Sequence, residues 1–395
     1  MDVKDDVLWH LDRDFTQPIR DPLWGHIYLS EGLATIVESV EFQQLAKIKQ
    51  LGPAHLVYPG ATHTRLAHSL GVYHIAYRMI RAILTFPEAP AISREYVTAY
   101  LCAALLHDLG HFPFTHSLKE LPLSEHEELA ADIVQRGDLA ERIRSQADTD
   151  PAIVARIIDE TLDDGGRDEV RLFRRLLSGS LDPDKLDYLN RDAFFCGVPY
   201  GTQDIDFAIS RLRPIAPDGI ALLRSGISAV ENILFSKYLM YRAVYWHRNV
   251  RAATAMIKDG LYRALTAGMI READLYGHTD ESFYAHFSAR PEPPFTLIRR
   301  VYDRQLHLPA ADIAFDESSA THRDLQDLAR RARVAERAHR LIERELGHEV
   351  SPLDVLIDLP EAVSFEVSFP VIDQGTVVDY PDAGTVFTPN VIEDF

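Results

Sequence analysis

A long apolar run that ends abruptly on a charged pair, VTAYLCAALLHDLGH at residues 97–111, constrains this chain more than any other stretch. Val97, Leu101 and Leu105 recur at helical spacing, so a helix is expected over residues 94–108, with Gly110 as its stop. Such a helix carries its last residues into the interior, where a lone carboxylate or imidazole is costly. His107 and Asp108 must therefore be paired, hydrogen-bonded or bound to a metal. Adjacent residues on a helix point about 100° apart, and one ion between the two tips can take a ligand from each. A lone His-Asp pair is common. Three further polar clusters make this one specific.

The chain of 395 residues allows one large core with an accessory domain. Its 46% hydrophobic and 26% charged content is that of a soluble globular protein. Two cysteines, Cys102 and Cys196, argue against a disulfide framework, and Cys102 reads as a small core residue. The N-terminal MDVKDDVLWHLDRDF has no apolar signal region, and no run reaches the roughly 18 apolar residues that span a bilayer. The expected setting is cytoplasmic, without a membrane. The formal net charge of −19 argues against nucleic acid or anionic lipid as partner. A small phosphorylated substrate still fits, because a local basic pocket or a metal reverses the field at one site.

Most of the chain reads helical. Helices are expected over residues 65–85, 228–267 and 319–347, the second opened by a Ser228/Glu231 capping box. After ARPEPPF, the tail changes to short β-branched or aromatic runs, DVLIDLP, SFEVSFPVI, GTVV and GTVF, which read as strands. The expected division is a mostly α region over 1–270 and a small mixed α/β region over 271–395.

Taken in chain order, the first of the four clusters pairs Arg65 with His68 one turn on. Alone, that histidine is a satisfied or capping residue; with an arginine on its face it offers a ligand beside an anion clamp. The second extends the opening pair itself. His107, Asp108, His111 and His116 fall within ten residues, and His126 follows in an acidic stretch where a solvated histidine is the bland reading. The third begins at Asp182-Pro183, an N-cap followed by proline at the first helical position. Asp184, Tyr188 and Asp192 then share one face, with Lys185 adjacent. The fourth is Lys237, Tyr241, Tyr245 and Arg248. Tyrosine stripes usually pack in cores, but these flanking cations also suit a phosphate-facing or sugar-facing wall.

The order R-x-x-H-S, H-D-L-G-H-x-P-F-x-H, H-E and D-x-D-K-x-D-Y-x-x-R-D resembles the HD-domain deoxynucleoside triphosphate triphosphohydrolases. The likeness runs from about residue 20 to 265 and, more loosely, into the tail. It implies an HD-type helical fold and hydrolysis of deoxynucleoside triphosphates to deoxynucleoside and inorganic triphosphate. It implies a divalent metal on His68, His107, Asp108 and Asp184; for that donor set Mn or Fe is favoured over Zn or Mg. By the same resemblance His111, His116 and His126 line the scissile phosphate. Arg65, Lys185 and Tyr245 match phosphate-contacting positions, and Gln50, Tyr188 and Asp192 match sugar-side ones. Lys237 and Tyr241 are added as substrate-wall residues from their spacing. A homo-oligomer, dimer or tetramer, is implied, as is a nucleotide activator.

Two departures stand out. The acid that family members carry three residues after the histidine at 116 is Lys119 here. Glu120 points about 100° away on a helix and cannot replace it. The expectation is that His126 or His111 supplies the proton. The aligned activator positions hold Glu38, Gln44 and Ala46, an altered set. The rival readings are a phosphohydrolase of another nucleotide, dinucleoside polyphosphate or ribonucleotide, and a non-enzymatic nucleotide sensor.

Overall fold

The computed structural model describes residues 3–215, 219–361, 365, 369–388 and 390–391. Helices dominate it, as expected. The Arg65–Leu84 and Arg94–Leu106 helices lie at its centre. Thr64 caps the first, its Oγ1 accepting from the Ala67 N–H, which satisfies one of the orphan donors of a helix start. In the second, Ala99 through Leu106 are all buried. A helix apolar on every side belongs inside.

That inner helix ends at Leu106 and tightens into a 3-10 turn over His107–Gly110. Gly110 does not take the left-handed conformation of a helix stop. Its role is close approach, since a Cβ there would lie 2.0 Å from the carbonyl oxygen of His126. The His126–Val134 helix is thus seated on the turn that carries His107 and Asp108.

The Pro183–Cys196 helix crosses the Arg65 helix. Asp182 caps it as expected, accepting the Lys185 N–H at 2.6 Å. The crossing is close: a Cβ on Gly71 would lie 1.9 Å from Asp187 Oδ1 and 2.5 Å from the Arg191 guanidinium.

The long helix expected over 228–267 is two helices. Ile227–Met240 runs into a π-helical turn, Tyr241–Tyr245, and Arg248–Thr266 starts afresh. The expected capping box does not form. The first helix follows Gly226 with no side-chain cap, and Glu231 instead accepts from Thr385 and the Val386 N–H of the tail. The helix expected over 319–347 is also split, into Ala320–Asp324 and Leu328–Leu346, because Asp327 caps a second start.

Two small sheets complete the fold. Strands β1 (Phe15–Asp21) and β2 (Gly25–Ser30) form an antiparallel hairpin, which the helical reading of the N-terminal part did not anticipate. Strands β3 (Leu212–Ile215), β4 (Gly219–Leu223), β5 (Pro370–Asp373) and β6 (Thr376–Asp379) form the second sheet in that order, with β4 and β5 parallel through Leu222 and Val371. The end of SFEVSFPVI is β5 and GTVV lies in β6; residues 364 and 366–368 fall outside the described residues. DVLIDLP and GTVF form no strand. Contacts therefore cross residue 270 in both sheet and core. A second apolar cluster packs Phe114 and Leu118 against Phe283, Phe287 and Phe295, bracing the chain just after the histidine turn. No helix among the described residues is long and apolar enough to cross a membrane.

Candidate active site

His68 sits one turn into its helix with its ring buried. Its Nδ1 lies 2.8 Å from Asp187 Oδ2. Arg191 grips that carboxylate with two nitrogens at 2.8 and 2.9 Å, and Trp24 Nε1 donates to it at 2.5 Å. Arg191 also reaches Asp21 at 2.8 Å. With Nδ1–H donating to Asp187, the Nε2 lone pair faces Asp184 Oδ1 at 2.9 Å. Two acceptors so close need a proton or a cation between them. Burial alone would lower the His68 pKa, but the hydrogen bonds to Asp184 and Asp187 outweigh it and hold it at about 10. A carboxylate behind a histidine is also the arrangement that orients a metal ligand.

His107 presents the same tautomer from the other side. Its Nδ1–H donates to the Ala104 carbonyl at 2.9 Å. Its Nε2 is buried with no hydrogen-bond partner among the described residues, 3.4 Å from Asp108 Oδ1 and 3.9 Å from Asp184 Oδ1. The ligand atoms of His68, His107 and Asp184 all lie within 4.8 Å of one another. An orphaned imidazole nitrogen aimed into such a group fits a divalent cation. Asp108 stands at the rim, 3.9 Å from His68 Nε2. Arg65 donates to its Oδ2 at 2.8 Å and His111 Nδ1 lies 3.1 Å from its Oδ1. Burial would raise the Asp108 carboxyl, yet His111 and Arg65 hold it well below the usual range. Asp182, in contrast, is engaged by Lys185, whose Nζ lies 2.5 Å away, and its carboxyl is pushed up to about 6 by burial.

Sequence reasoning assigned no role to Asp187, Arg191, Trp24 or Asp21. The spacing held part of the signal, since Asp187 follows Asp184 by one turn and Arg191 follows Asp187 by four residues. The expected result for Asp187→Asn is a 10–100-fold loss of metal affinity with the fold retained, read by metal titration beside a melting curve. Unchanged affinity would show that His68 is oriented by something else.

The three remaining histidines form a second group. His111 Nε2 lies 3.1 Å from His116 Nε2, and the His126 ring lies 4.0 Å from that of His111 and 5.4 Å from that of His116. Phe114, at φ 70°, turns the chain just before His116; a bulky residue in that conformation stores strain, as functional sites often do. Burial and the nearby Arg65 push His111 down to about 4. Burial, with His111 and Arg65 beside it, holds His116 well below its ordinary value although its edge is open to the cleft, and Lys119 adds to the effect. Burial and His111 do the same to His126. Glu120 lines the same cleft but is held by Arg331 at 2.5 and 3.0 Å and by Lys258. It does not replace the missing acid.

Both groups open onto one cleft of about 600 Å³. Its wall includes Gln50, Arg65, His116, His126, Lys185, Tyr188, Asp192, Tyr241 and Tyr245, all expected at the site; His111 lies behind them. Lys237 is a correction. It does not line the cleft, and its ammonium lies 5.6 Å from the centre of the Phe365 ring. Arg248, beyond the π turn, is exposed and also outside the wall. Tyr245, expected at a phosphate-contacting position, donates its hydroxyl to Asp192 Oδ2 at 2.6 Å. Arg251 and Lys258 extend the wall, and Asp358 accepts two 2.8 Å hydrogen bonds from Arg251. Nothing in local spacing could reveal a pair 107 residues apart.

Comparison with known proteins agrees with this geometry. Residues 65–187 match the HD domain and residues 207–387 match the HD associated region. The chain is 35% identical to the uncharacterized protein YwfO of Bacillus subtilis over 275 residues, 69% of this chain and 60% of that protein. It is 27% identical to the deoxynucleoside triphosphate triphosphohydrolase SAMHD1 homolog of Dictyostelium discoideum, over 64% of this chain and 50% of that one. The chain thus spans about half to three-fifths of the length of these curated relatives. A phosphohydrolase crystal structure from Bacteroides thetaiotaomicron superposes with a TM-score of 0.71 at 25% identity, covering 95% of this chain and 96% of that one. With both regions matched in order and His68, His107, Asp108 and Asp184 gathered inside the first, the chain belongs to the HD-domain phosphohydrolase family.

Proposed function

We propose that the chain hydrolyses deoxynucleoside triphosphates to deoxynucleoside and inorganic triphosphate, using a divalent ion held by His68, His107, Asp108 and Asp184. The observation that carries this reading is the single cleft. It sets two imidazoles and two carboxylates beside His116 and His126, with His111 behind them, several cations that include Arg65 and Lys185, and the polar side chains of Gln50, Tyr188 and Asp192. When bound, the ion, Mn or Fe in preference to Zn or Mg, supplies Lewis acidity toward the α-phosphate. Arg65 and Lys185 neutralise phosphate charge. The arriving polyphosphate raises the depressed histidine pKa values, so that His126, on the cleft wall, can carry a proton to the leaving 5′-oxygen; His111, the other expected donor, lies behind that wall and backs it. Tyr188 closes the space beside the sugar, and Asp192 and Gln50 take its hydroxyl.

A panel of nucleotides with products separated by chromatography tests the reading. The expected products are deoxynucleoside and triphosphate, with dATP preferred to ATP. Equal kcat/KM for the two would sink the deoxy-specific form, because a wall built for close contact rejects an added hydroxyl. Release of orthophosphate or pyrophosphate would assign a different nucleotide reaction.

We further propose a cytoplasmic homo-oligomer, dimer or tetramer, with a nucleotide activator site altered at Glu38, Gln44 and Ala46. Light scattering at micromolar concentration checks the assembly, and a fully active monomer would refute it. Residues 1–270 are proposed as the catalytic region and 271–395 as a supporting one.

A further inference from the structure

We infer that His63 is a positioning residue for sugar recognition, acting by fixing the carboxylate of Asp192; the inference rests on the nucleotide reading above. The His63 side chain is fully buried, and its Nε2 lies 2.8 Å from Asp192 Oδ1. Tyr245 donates to the other oxygen, Oδ2, at 2.6 Å. Each oxygen of Asp192 is thus tied to one side chain, and the two ties come from opposite ends of the carboxylate. Its plane is set, and the lone pairs left over point in fixed directions. An ionised carboxylate only accepts, so the group it recognises must be a donor such as a hydroxyl. A carboxylate free to rotate would accept from neighbouring hydroxyls in turn. A pinned one accepts from a single position, and that turns a hydrogen bond into a choice between sugars.

The ring is not explained by packing. Its Nδ1 is buried without a partner among the described residues, a cost that an apolar side chain of similar size would avoid. The face of the ring stacks on Phe195 at 4.7 Å and 21°, a contact that a leucine or phenylalanine could also make. What the imidazole adds is the donor to Asp192.

The backbone of His63 binds the same wall from the other side. Its carbonyl accepts the Gln50 N–H at 3.0 Å, and two residues on, the Arg65 N–H donates to Ile48 at 3.0 Å. The loop carrying it closes against the end of the Pro183–Cys196 helix through Gly60, where a Cβ would lie 2.4 Å from the Phe195 carbonyl oxygen. Gln50, whose Oε1 is also buried and unpartnered among the described residues, and Asp192 therefore share one support. His63 joins the two sugar-side groups across 129 residues of chain.

The test compares His63→Leu, His63→Gln and Asp192→Asn, singly and in combination. The substrates are dATP, ATP and bis(p-nitrophenyl) phosphate, a sugarless phosphodiester, all with Mn²⁺. A sugar contact made equally in ground and transition states acts on KM. His63→Leu is expected to raise the dATP KM about tenfold, change kcat less than about threefold, and erode the dATP/ATP preference. Cleavage of the sugarless ester and the metal content stay at wild-type level. His63→Gln, which keeps a donor, restores most of the dATP affinity. On the Asp192→Asn background, His63→Leu adds no further loss. Equal damage to the sugarless ester, failure of the glutamine rescue, or an additive double variant would each overturn the inference. A wild-type protein that cleaves the sugarless ester but no nucleotide overturns the proposed function, and this inference with it. A wild-type protein active on dATP with a silent His63→Leu overturns the inference alone.

Discussion

Asp184→Ala is expected to remove the bound ion and lower kcat/KM at least about a thousandfold, the scale of several kcal/mol of lost charge stabilisation. Asp184 Oδ1 faces both ligand imidazoles, at 2.9 Å from His68 and 3.9 Å from His107. Burial disfavours its charge, yet those two histidines hold its carboxyl below the usual range, as an incoming cation would. The fold should survive, because the helix start is served by Asp182 and not by Asp184. Asp182→Ala should do the converse, keeping the ion while costing about 1 kcal/mol of cap stability and removing one partner of the Lys185 ammonium, which also donates to the Gly179 carbonyl. Metal analysis beside thermal melts of the two variants decides the matter. Metal retained without Asp184 and lost without Asp182 would reverse the assignment.

The second large effect is expected at His126. His126→Ala should cost about 10²- to 10⁴-fold in kcat, the range for removing a positioned proton donor. Lys119→Asp should change activity by less than about tenfold. His126 leads the first turn of its helix, its ring is packed on His111, and it forms part of the cleft wall. Lys119 is exposed on the cleft wall, where its charge helps lower the His116 pKa. An aspartate there would raise the His116 pKa, but with His126 as the donor the alkaline limb of the kcat/KM profile should stay in place in Lys119→Asp. A large gain from Lys119→Asp with a silent His126→Ala would mean that the lysine disables the site.

The parts of the site legible in the sequence are those written in one helix or one turn. His107 with Asp108, Asp184 with Tyr188 and Asp192, and the Asp182 cap all follow from spacing within a segment, and the structure keeps them together. Lys237 shares the predicted helix with Tyr241 yet lies outside the cleft wall, near Phe365 of the tail, a contact that local spacing does not show. The broken helix at 241–247 was illegible for a related reason: apolar periodicity continues through a π turn. The supports behind the ligands were out of reach altogether. Trp24 to Asp187 and His63 to Asp192 join positions 163 and 129 residues apart, where local pattern carries no information.

The chain of contacts from Asp21 through Arg191 and Asp187 to His68 would make the hairpin β1–β2 a partner in binding the proposed ion. Linkage is reciprocal, so an ion that favours the docked His68–Asp187 geometry also holds the hairpin down by the same free energy. The amide protons of the pairs Ile19–Ile27 and Arg20–His26 lie far from any candidate ligand in sequence. Their exchange with solvent should nevertheless slow as Mn²⁺ is added, and should lose that response in Asp187→Asn. Occupancy of the centre could then be followed from the outer strand of the molecule, without turnover.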